Sequence, residues 1–257
     1  MDFLHAVILA IVEGVTEFLP VSSTGHMMIT AKLLNIPTSE FLKTFEVAIQ
    51  FGAIMAVVVF YWRTFILDWE KMLKVCIAFV PTAIIGLVLY KFIKKMLLGN
   101  LWVFVWALFI GGALLIIFER RYKPKGNETA TIDNITLQQA IIIGIFQAFA
   151  VIPGVSRSAA TIIGGLLLGI NRVTIVEFSF LLAVPTMLSA TVLDLLKTEA
   201  VMTVDDWLIL GVGFLVAFIV ALGAVKFLLG YIRRFNFTPF GIYRVIAAVL
   251  FACCLRS

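Results

Sequence analysis

Six long apolar stretches constrain the fold of this chain more than any other feature of its sequence. They cover about residues 41–62, 75–93, 101–118, 174–194, 207–229 and 239–255. A helix needs about 20 mainly apolar residues to cross the hydrocarbon core of a bilayer, and each stretch is close to that length. Only 14% of the 257 residues are charged, whereas soluble domains carry about 25%. The sequence therefore predicts one all-α integral membrane domain, 1–257, with six transmembrane helices.

Two further apolar segments, 3–36 and 138–171, are polar at their centres. These centres read EGVTEFLPVSSTGH and PGVSRSAAT. A break of this kind cannot face lipid, because lipid offers no hydrogen bonds to the backbone groups that the break exposes. We therefore predict two re-entrant segments, each a broken helix that enters and leaves on the same side and is buried by the other helices.

The two broken segments match each other in the order of their features. Ala6 corresponds to Ala140, and Glu13 corresponds to Gln147. Three crossings follow each segment, and because three is odd the second half must run upside down relative to the first. This pattern predicts an inverted-topology repeat, 1–125 and 135–257, whose broken helices meet around a binding site near the middle of the membrane.

The basic residues predict the orientation of the chain. The side that holds the RRYKPK cluster at 120–125 carries more Lys and Arg than the side of the N-terminus, although Lys91, Lys94 and Lys95 lie on that other side. Cytoplasmic loops are enriched in Lys and Arg, so both termini are predicted to be outside. The net charge of +5 is thereby attributed to topology and anionic ligands, and no nucleic-acid partner is expected.

Two carboxylates, Glu13 and Glu17, lie four residues apart in the first broken segment. On a helix they share one face, and carboxylates at membrane depth mark function by default. A divalent cation is one interpretation, because Mg²⁺ prefers one or two carboxylates together with phosphate oxygens and water. A proton relay and a pair of neutral, mutually hydrogen-bonded carboxyls remain the alternatives.

Three hydroxyls, Ser22, Ser23 and Thr24, stand where the second half-helix of that segment begins. Such side chains cap helices, and the backbone N–H groups at a helix N-terminus bind anions. His26 follows three residues after Ser23, and we predict that it activates a hydroxyl or protonates a leaving group. A purely structural histidine is the alternative.

Arg157 stands at the corresponding position of the second broken segment. A permanent charge at membrane depth needs an anionic partner, and the guanidinium fork matches phosphate. Ser156, Ser158 and Thr161 add possible donors along the same stretch. A structural salt bridge to one of the two glutamates is the alternative.

These residues together predict hydrolytic phosphoryl transfer on a lipid phosphate. The first half supplies acids, hydroxyls and a histidine, and the second supplies an arginine and further hydroxyls. A transporter or flippase is the main alternative, since inverted repeats with broken helices are also a transporter plan. A structural or regulatory membrane protein does not explain so many intramembrane charges.

The chain resembles the undecaprenyl-diphosphate phosphatase family of the bacitracin-resistance type. The blocks that carry the resemblance are 13–26, TFEVAIQ at 44–50, 153–161, and FTPFGIYR at 237–244. The resemblance implies hydrolysis of undecaprenyl diphosphate to the monophosphate, which recycles the carrier for peptidoglycan synthesis and confers bacitracin resistance, bacitracin itself being only an indirect partner. It also implies the bacterial inner membrane, a site that opens to the periplasm, and a divalent cation, Mg²⁺ or Ca²⁺.

The residue pattern and the resemblance together predict the role of each site residue. We predict Ser23 as the nucleophile, His26 as acid and base, and Arg157 and Glu17 as further catalytic residues. The predicted metal ligands are Glu13 and Glu17. The predicted substrate-binding residues are Ser22, Thr24, Ser156, Ser158 and Thr161. A homodimer is left open.

Overall fold

Eleven helices make up the computed structural model, which describes residues 1–92, 101–123, 128–195 and 203–256. The first half contains α1 (Phe3–Thr16), α2 (Ser23–Leu33), α3 (Glu40–Phe60), α4 (Trp62–Leu67), α5 (Trp69–Phe92) and α6 (Leu101–Arg121). The second half contains α7 (Leu137–Ala148), α8 (Arg157–Leu167), α9 (Arg172–Leu195), α10 (Val204–Ile232) and α11 (Thr238–Arg256). Short 3₁₀ turns lie at Ile132–Asn134 and Phe149–Val151.

Six of these helices, α3, α5, α6, α9, α10 and α11, are long and apolar enough to cross a membrane. The prediction of an all-α, multi-pass membrane protein is therefore confirmed. Each helix extends beyond its predicted stretch at one end at least, most clearly α5, which begins at Trp69 rather than at 75, whereas α3 ends at Phe60 rather than at 62. Apolar composition marks the part of a helix that lies in lipid, whereas the backbone hydrogen bonds continue into the polar ends. At the start of α10, for example, Thr203 and Asp206 form a capping box.

Both predicted broken segments are pairs of short helices, α1 with α2 and α7 with α8, and each pair packs together. The breaks end at Ser22 and Ser156, which both have a left-handed backbone, with φ of 73° and 55°. Positive φ is uncommon for residues other than glycine. These two serines occupy matching positions in the two halves, so the breaks share an unusual backbone geometry as well as similar residues.

In each half, the first helix of the broken segment packs against a long helix of the other half. α1 packs against α10 of the second half, and its counterpart α7 packs against α5 of the first. α3 packs against its counterpart α9, and α6 against its counterpart α11. Two repeats related by a twofold axis in the membrane plane produce this arrangement. It supports the division into 1–125 and 135–257, which stays a prediction. Three of the basic residues used to predict the orientation, Lys94, Lys95 and Lys125, lie outside the described residues.

The helix α1, which carries Glu13 and is followed directly by Glu17, is held by close packing against α10. A Cβ atom at Gly14 would lie 2.8 Å from the carbonyl oxygen of Ala217 and 2.9 Å from the Cβ of Val220. Only glycine permits this approach, as is common where membrane helices touch. At its start, the Asp2 carboxylate accepts the backbone N–H of His5 at 2.8 Å. These contacts fix the rotation of α1 and so the direction in which its carboxylates point.

Candidate active site

The two breaks meet at a cavity of about 250 Å³ between the halves. Its walls are formed by Glu17, Ser22, Ser23, Thr24, Gln50, Ala150, Pro153, Gly154, Ser156, Arg157, Thr186, Met187 and Ala190. Six of the predicted site residues are among them. Thr186, Met187 and Ala190 belong to the second half of α9, which runs toward the side of the chain's N-terminus. The cavity wall therefore extends toward that side.

Glu17 and Ser23 form the central contact of the cavity. The Ser23 hydroxyl donates a short hydrogen bond to Oε2 of Glu17. Glu17 follows the last residue of α1 and Ser23 opens α2, so the break folds the chain back and brings the two side chains together. Ser23 is 7% exposed. A buried hydroxyl whose proton points at a carboxylate is the arrangement of a nucleophile with its general base.

Arg157 reaches this pair from the other half of the chain. Its Nη2 lies 3.5 Å from Oε1 of Glu17, and its Nη1 donates to the carbonyl oxygen of Ser179 at 2.9 Å. Its Nε is buried and has no hydrogen-bond partner among the described residues. The salt bridge to a glutamate therefore exists, but it is long and leaves guanidinium hydrogen-bonding capacity unused beside the cavity.

The hydroxyls of the second half divide into two groups. Ser156 lines the cavity and caps α8 by accepting the backbone N–H of Ala159 at 3.3 Å. Ser158 donates to the carbonyl oxygen of Leu19 at 2.9 Å, and Thr161 lies 2.6 Å from the hydroxyl of Ser179. Ser158 and Thr161 are thus placed behind the cavity wall, where they connect the breaks to their surroundings. Contact of these two residues with substrate stays a prediction.

His26 lies on α2 outside the cavity wall, and both of its ring nitrogens are bonded. Nδ1 is 2.7 Å from the carbonyl oxygen of Ser22, and Nε2 is 2.7 Å from the hydroxyl of Tyr243. A carbonyl only accepts, so Nδ1 donates to it, and in a neutral ring Nε2 then accepts from the Tyr243 hydroxyl. No hydrogen bond joins His26 to Ser23. The acid–base role predicted for His26 therefore lacks a supporting contact, and Glu17 occupies the position next to Ser23, the predicted nucleophile.

Glu13 lies one helical turn before Glu17 and is fully buried. Neither of its carboxylate oxygens has a hydrogen-bond partner among the described residues. Among the described residues, no group of three or more His, Cys, Asp or Glu side chains lies close enough together to hold a metal ion without other ligands. Two carboxylates suit a magnesium ion that takes its remaining ligands from phosphate and water. The unpartnered oxygens of Glu13 fit that interpretation.

Comparison with known proteins decides the family. The family model described as "Bacitracin resistance protein BacA" matches residues 6–250. A protein of Sulfurihydrogenibium sp. is 51% identical over 251 residues, which are 98% of this chain and 98% of that protein. A protein of Wolinella succinogenes is 47% identical over 98% of this chain and 97% of its own length. A protein of Aquifex aeolicus is 47% identical over 96% of this chain and 96% of its own length. All three are named undecaprenyl-diphosphatase. This chain belongs to the BacA family.

Membership of the BacA family confirms the resemblance read from the sequence. The matched range 6–250 includes both breaks, the TFEVAIQ block at 44–50 and most of α11. The cavity residues therefore lie within the part of the chain that the BacA model describes, and the relatives match this chain over nearly their whole length.

Some residues around this BacA cavity are not singled out by sequence reasoning. Gln50 and Thr186 line the wall, and Ser179 bonds to Arg157. Arg244 is fully buried beside the breaks. The available signal was a polar or charged residue inside an apolar crossing. It applies strongly to Arg244 and Gln50, and only weakly to Ser179 and Thr186, because hydroxyls are common in membrane helices.

Proposed function

We propose that this chain hydrolyses undecaprenyl diphosphate to undecaprenyl monophosphate and phosphate. The observation that carries the proposal is the hydrogen bond from Ser23 to Glu17 in a cavity that Arg157 of the other half also lines. Relatives that match nearly the whole chain are named for this activity, and their names give no support to the transporter alternative. Because the cavity lies among membrane helices, a lipid phosphate can reach it without leaving the bilayer.

In the first step the Ser23 oxygen attacks the terminal phosphorus. A bond forms between the Ser23 oxygen and phosphorus, the bond from phosphorus to the bridging oxygen breaks, and undecaprenyl monophosphate leaves. The Ser23 proton passes to the Glu17 carboxylate, which already accepts it in a hydrogen bond. Arg157 donates to the oxygens of the transferring group, where charge is spread in the transition state.

In the second step water attacks the phosphoserine. A bond forms between the water oxygen and phosphorus, the bond from the Ser23 oxygen to phosphorus breaks, and phosphate leaves. The protonated Glu17 returns its proton to the Ser23 oxygen, so the carboxylate and the hydroxyl are both restored. Both protons of the attacking water stay on the released phosphate, so the step leaves no proton on the protein beyond the one restored to Ser23.

We further propose that Glu13 and Glu17 hold a magnesium or calcium ion. Such an ion would neutralise part of the diphosphate charge when it is bound. Glu13 would then supply the carboxylate that has no protein partner among the described residues, and an ion of this kind takes its remaining ligands from phosphate and water. Glu13 does not itself line the cavity, so the cation that the two glutamates would hold, together with Arg157, would bring positive charge to the diphosphate.

Loss of the carboxylate at Glu17 is expected to lower turnover by at least about a hundredfold, because Glu17→Gln removes both the base and a metal ligand. Excess chelator should have a similar effect on the unchanged protein. The measurement is phosphate release by purified protein with and without chelator, with Glu70→Gln in the exposed first turn of α5 as the control. Normal activity of Glu17→Gln, or full activity in excess chelator, would contradict the metal proposal.

The proposed location is the bacterial inner membrane, with the cavity open to the periplasm. The support is the cavity wall on α9, which extends toward the side of the N-terminus. Arg120 and Arg121 end α6 at the opposite side, as expected if that side is cytoplasmic. Hydrolysis there would return the carrier lipid to peptidoglycan synthesis and reduce the amount of diphosphate available to bacitracin.

Labelling of single cysteines with a membrane-impermeant reagent tests this orientation. The exposed native cysteines Cys76, Cys253 and Cys254 are first replaced. In intact cells Thr38→Cys, before α3, should be labelled, whereas Lys123→Cys, after α6, should be labelled only after the cells are broken. Labelling of Lys123→Cys from outside would reverse the proposed orientation.

The proposed activity is tested by incubating purified protein with undecaprenyl diphosphate in detergent. Phosphate and undecaprenyl monophosphate should appear in equal amounts, and both are measured. Movement of the lipid across vesicles without phosphate release would favour the transporter alternative and contradict the proposal.

A further inference from the structure

Arg244 is the largest fully buried side chain in the described residues, and it lies within the membrane-crossing helix α11. It takes part in none of the ion pairs found in that part of the chain. A buried cation without an acidic partner is costly, and inside a membrane it is retained where backbone carbonyls or a function require it.

The partners of Arg244 are four backbone carbonyls. Nη1 donates to the oxygen of Pro20 at 3.3 Å, and Nη2 donates to the oxygen of Gly154 at 3.0 Å. Nη2 and Nε also lie 3.3 Å and 3.4 Å from the carbonyl oxygens of Ala107 and Leu108 on α6. Pro20 and Gly154 belong to the two breaks, where carbonyls lack helical partners and must find donors elsewhere.

Pro20 and Gly154 occupy matching positions in the two halves of the chain. Pro20 precedes Ser23 by three residues, and Gly154 precedes Arg157 by three residues. One planar guanidinium therefore bonds to the same point of both breaks. That point lies three residues before Ser23 in the first break and three residues before Arg157 in the second.

Two glycines on α6, Gly111 and Gly112, leave room for the Arg244 side chain. A Cβ atom at Gly112 on α6 would lie 2.8 Å from the Cβ of Arg244, and one at Gly111 would meet its guanidinium. α6 and α11 pack along each other, and their small residues leave room for Arg244 to reach the breaks. Arg244 does not line the cavity, so it acts on the reaction only through other residues.

We infer that Arg244 is a positioning residue that sets the distance between Ser23 and Arg157 by holding the two breaks together. This inference rests on the proposed function, because the reaction defines what has to be positioned. A lysine ammonium is a single donor atom and cannot span carbonyls that a guanidinium bonds through three nitrogens. Misplacement of reacting groups by about 1 Å costs on the order of a hundredfold in rate.

The test is steady-state kinetics of Arg244→Lys on undecaprenyl diphosphate, together with its thermal unfolding midpoint. We expect kcat to fall about a hundredfold, with KM changed by less than about threefold, because the groups that bind substrate remain. The matched control is Arg172→Lys, a partly buried arginine that pairs with Glu119 at 2.7 Å away from the cavity. It should unfold at a lower temperature and keep its kcat.

A second variant separates positioning from folding. Arg244→Ala is assayed with and without added guanidinium, which should restore kcat at least about tenfold if the missing group only has to bridge the breaks. The inference is overturned if Arg244→Lys keeps kcat within about threefold of the unchanged protein, or if Arg172→Lys loses as much kcat at an equal folded fraction. An unchanged protein without any phosphate release would instead overturn the proposed function.

Discussion

Ser23→Ala is expected to lower kcat by at least about a thousandfold, because the alanine protein lacks the hydroxyl that we propose attacks phosphorus. Ser23 is small and nearly buried, and its hydroxyl donates only to Glu17. Loss of that single oxygen therefore removes the nucleophile while it leaves the packing of α2 unchanged. Phosphate release by folded, detergent-purified protein measures the effect.

Two other serines, Ser189 and Ser22, provide the controls for this substitution. Ser189→Ala removes the same group from α9, where the Ser189 hydroxyl donates to the carbonyl oxygen of Thr186 at 2.8 Å, and it should change kcat little. Ser22→Ala alters the cavity wall without removing the nucleophile, and its effect should be weaker than that of Ser23→Ala. A Ser23→Ala protein within tenfold of the parent would move the attack to Thr24 or to water.

Arg157→Lys is expected to lower kcat by about a hundredfold to a thousandfold, which is typical for loss of a preorganised donor to transition-state charge. The guanidinium contacts Glu17 and the carbonyl oxygen of Ser179 from different nitrogens. A lysine ammonium cannot hold both contacts and also present two parallel donors to phosphate. The effect should therefore be nearly as large for Arg157→Lys as for Arg157→Ala.

The comparison of these two variants separates charge from geometry. If Arg157→Lys recovered to within tenfold of the parent, a point charge would suffice and the fork would have no special role. Phosphate would then be held mainly by hydroxyls and by backbone N–H groups at the start of α2 and α8. Arg172→Lys, outside the cavity, again serves as the control for loss of a guanidinium.

The crossings and the breaks were predictable because hydrophobicity in a membrane protein is nearly a direct record of lipid contact. The six apolar stretches correspond to the six long helices, and the two polar interruptions correspond to the two breaks. The ends of the helices were not predictable to the residue. α10, for instance, runs from Val204 to Ile232 rather than over the predicted 207–229, because backbone hydrogen bonds continue beyond the part of a helix that the apolar pattern marks.

Glu17, Ser23 and Arg157 were found from sequence because each is conspicuous in an apolar segment, and the structure brings the three together. The partner of the nucleophile was harder to predict. His26 follows Ser23 by one helical turn, but Ser23 is the first residue of α2 and its side chain turns back across the break to Glu17. Which of two nearby groups a hydroxyl meets depends on the geometry of the break and not on spacing.

Arg244 shows the limit of the same reasoning. Its charge inside a crossing was visible, yet its partners are the carbonyls of Pro20 and Gly154, far away in sequence. Every residue has a backbone carbonyl, so no sequence motif indicates which carbonyls lack a hydrogen-bond donor. Only the fold shows that the two breaks approach each other where α11 passes.

Attack by the Ser23 hydroxyl rather than by water is tested most directly by the stereochemistry at phosphorus. The substrate is undecaprenyl diphosphate whose terminal group is a thiophosphate made chiral with oxygen isotopes, hydrolysed in water that carries a third isotope. Attack by Ser23 followed by attack of water on the phosphoserine comprises two in-line displacements, each of which inverts phosphorus. Thiophosphate with retained configuration is therefore the predicted result, and inverted configuration would contradict a phosphoserine and assign the attack to water.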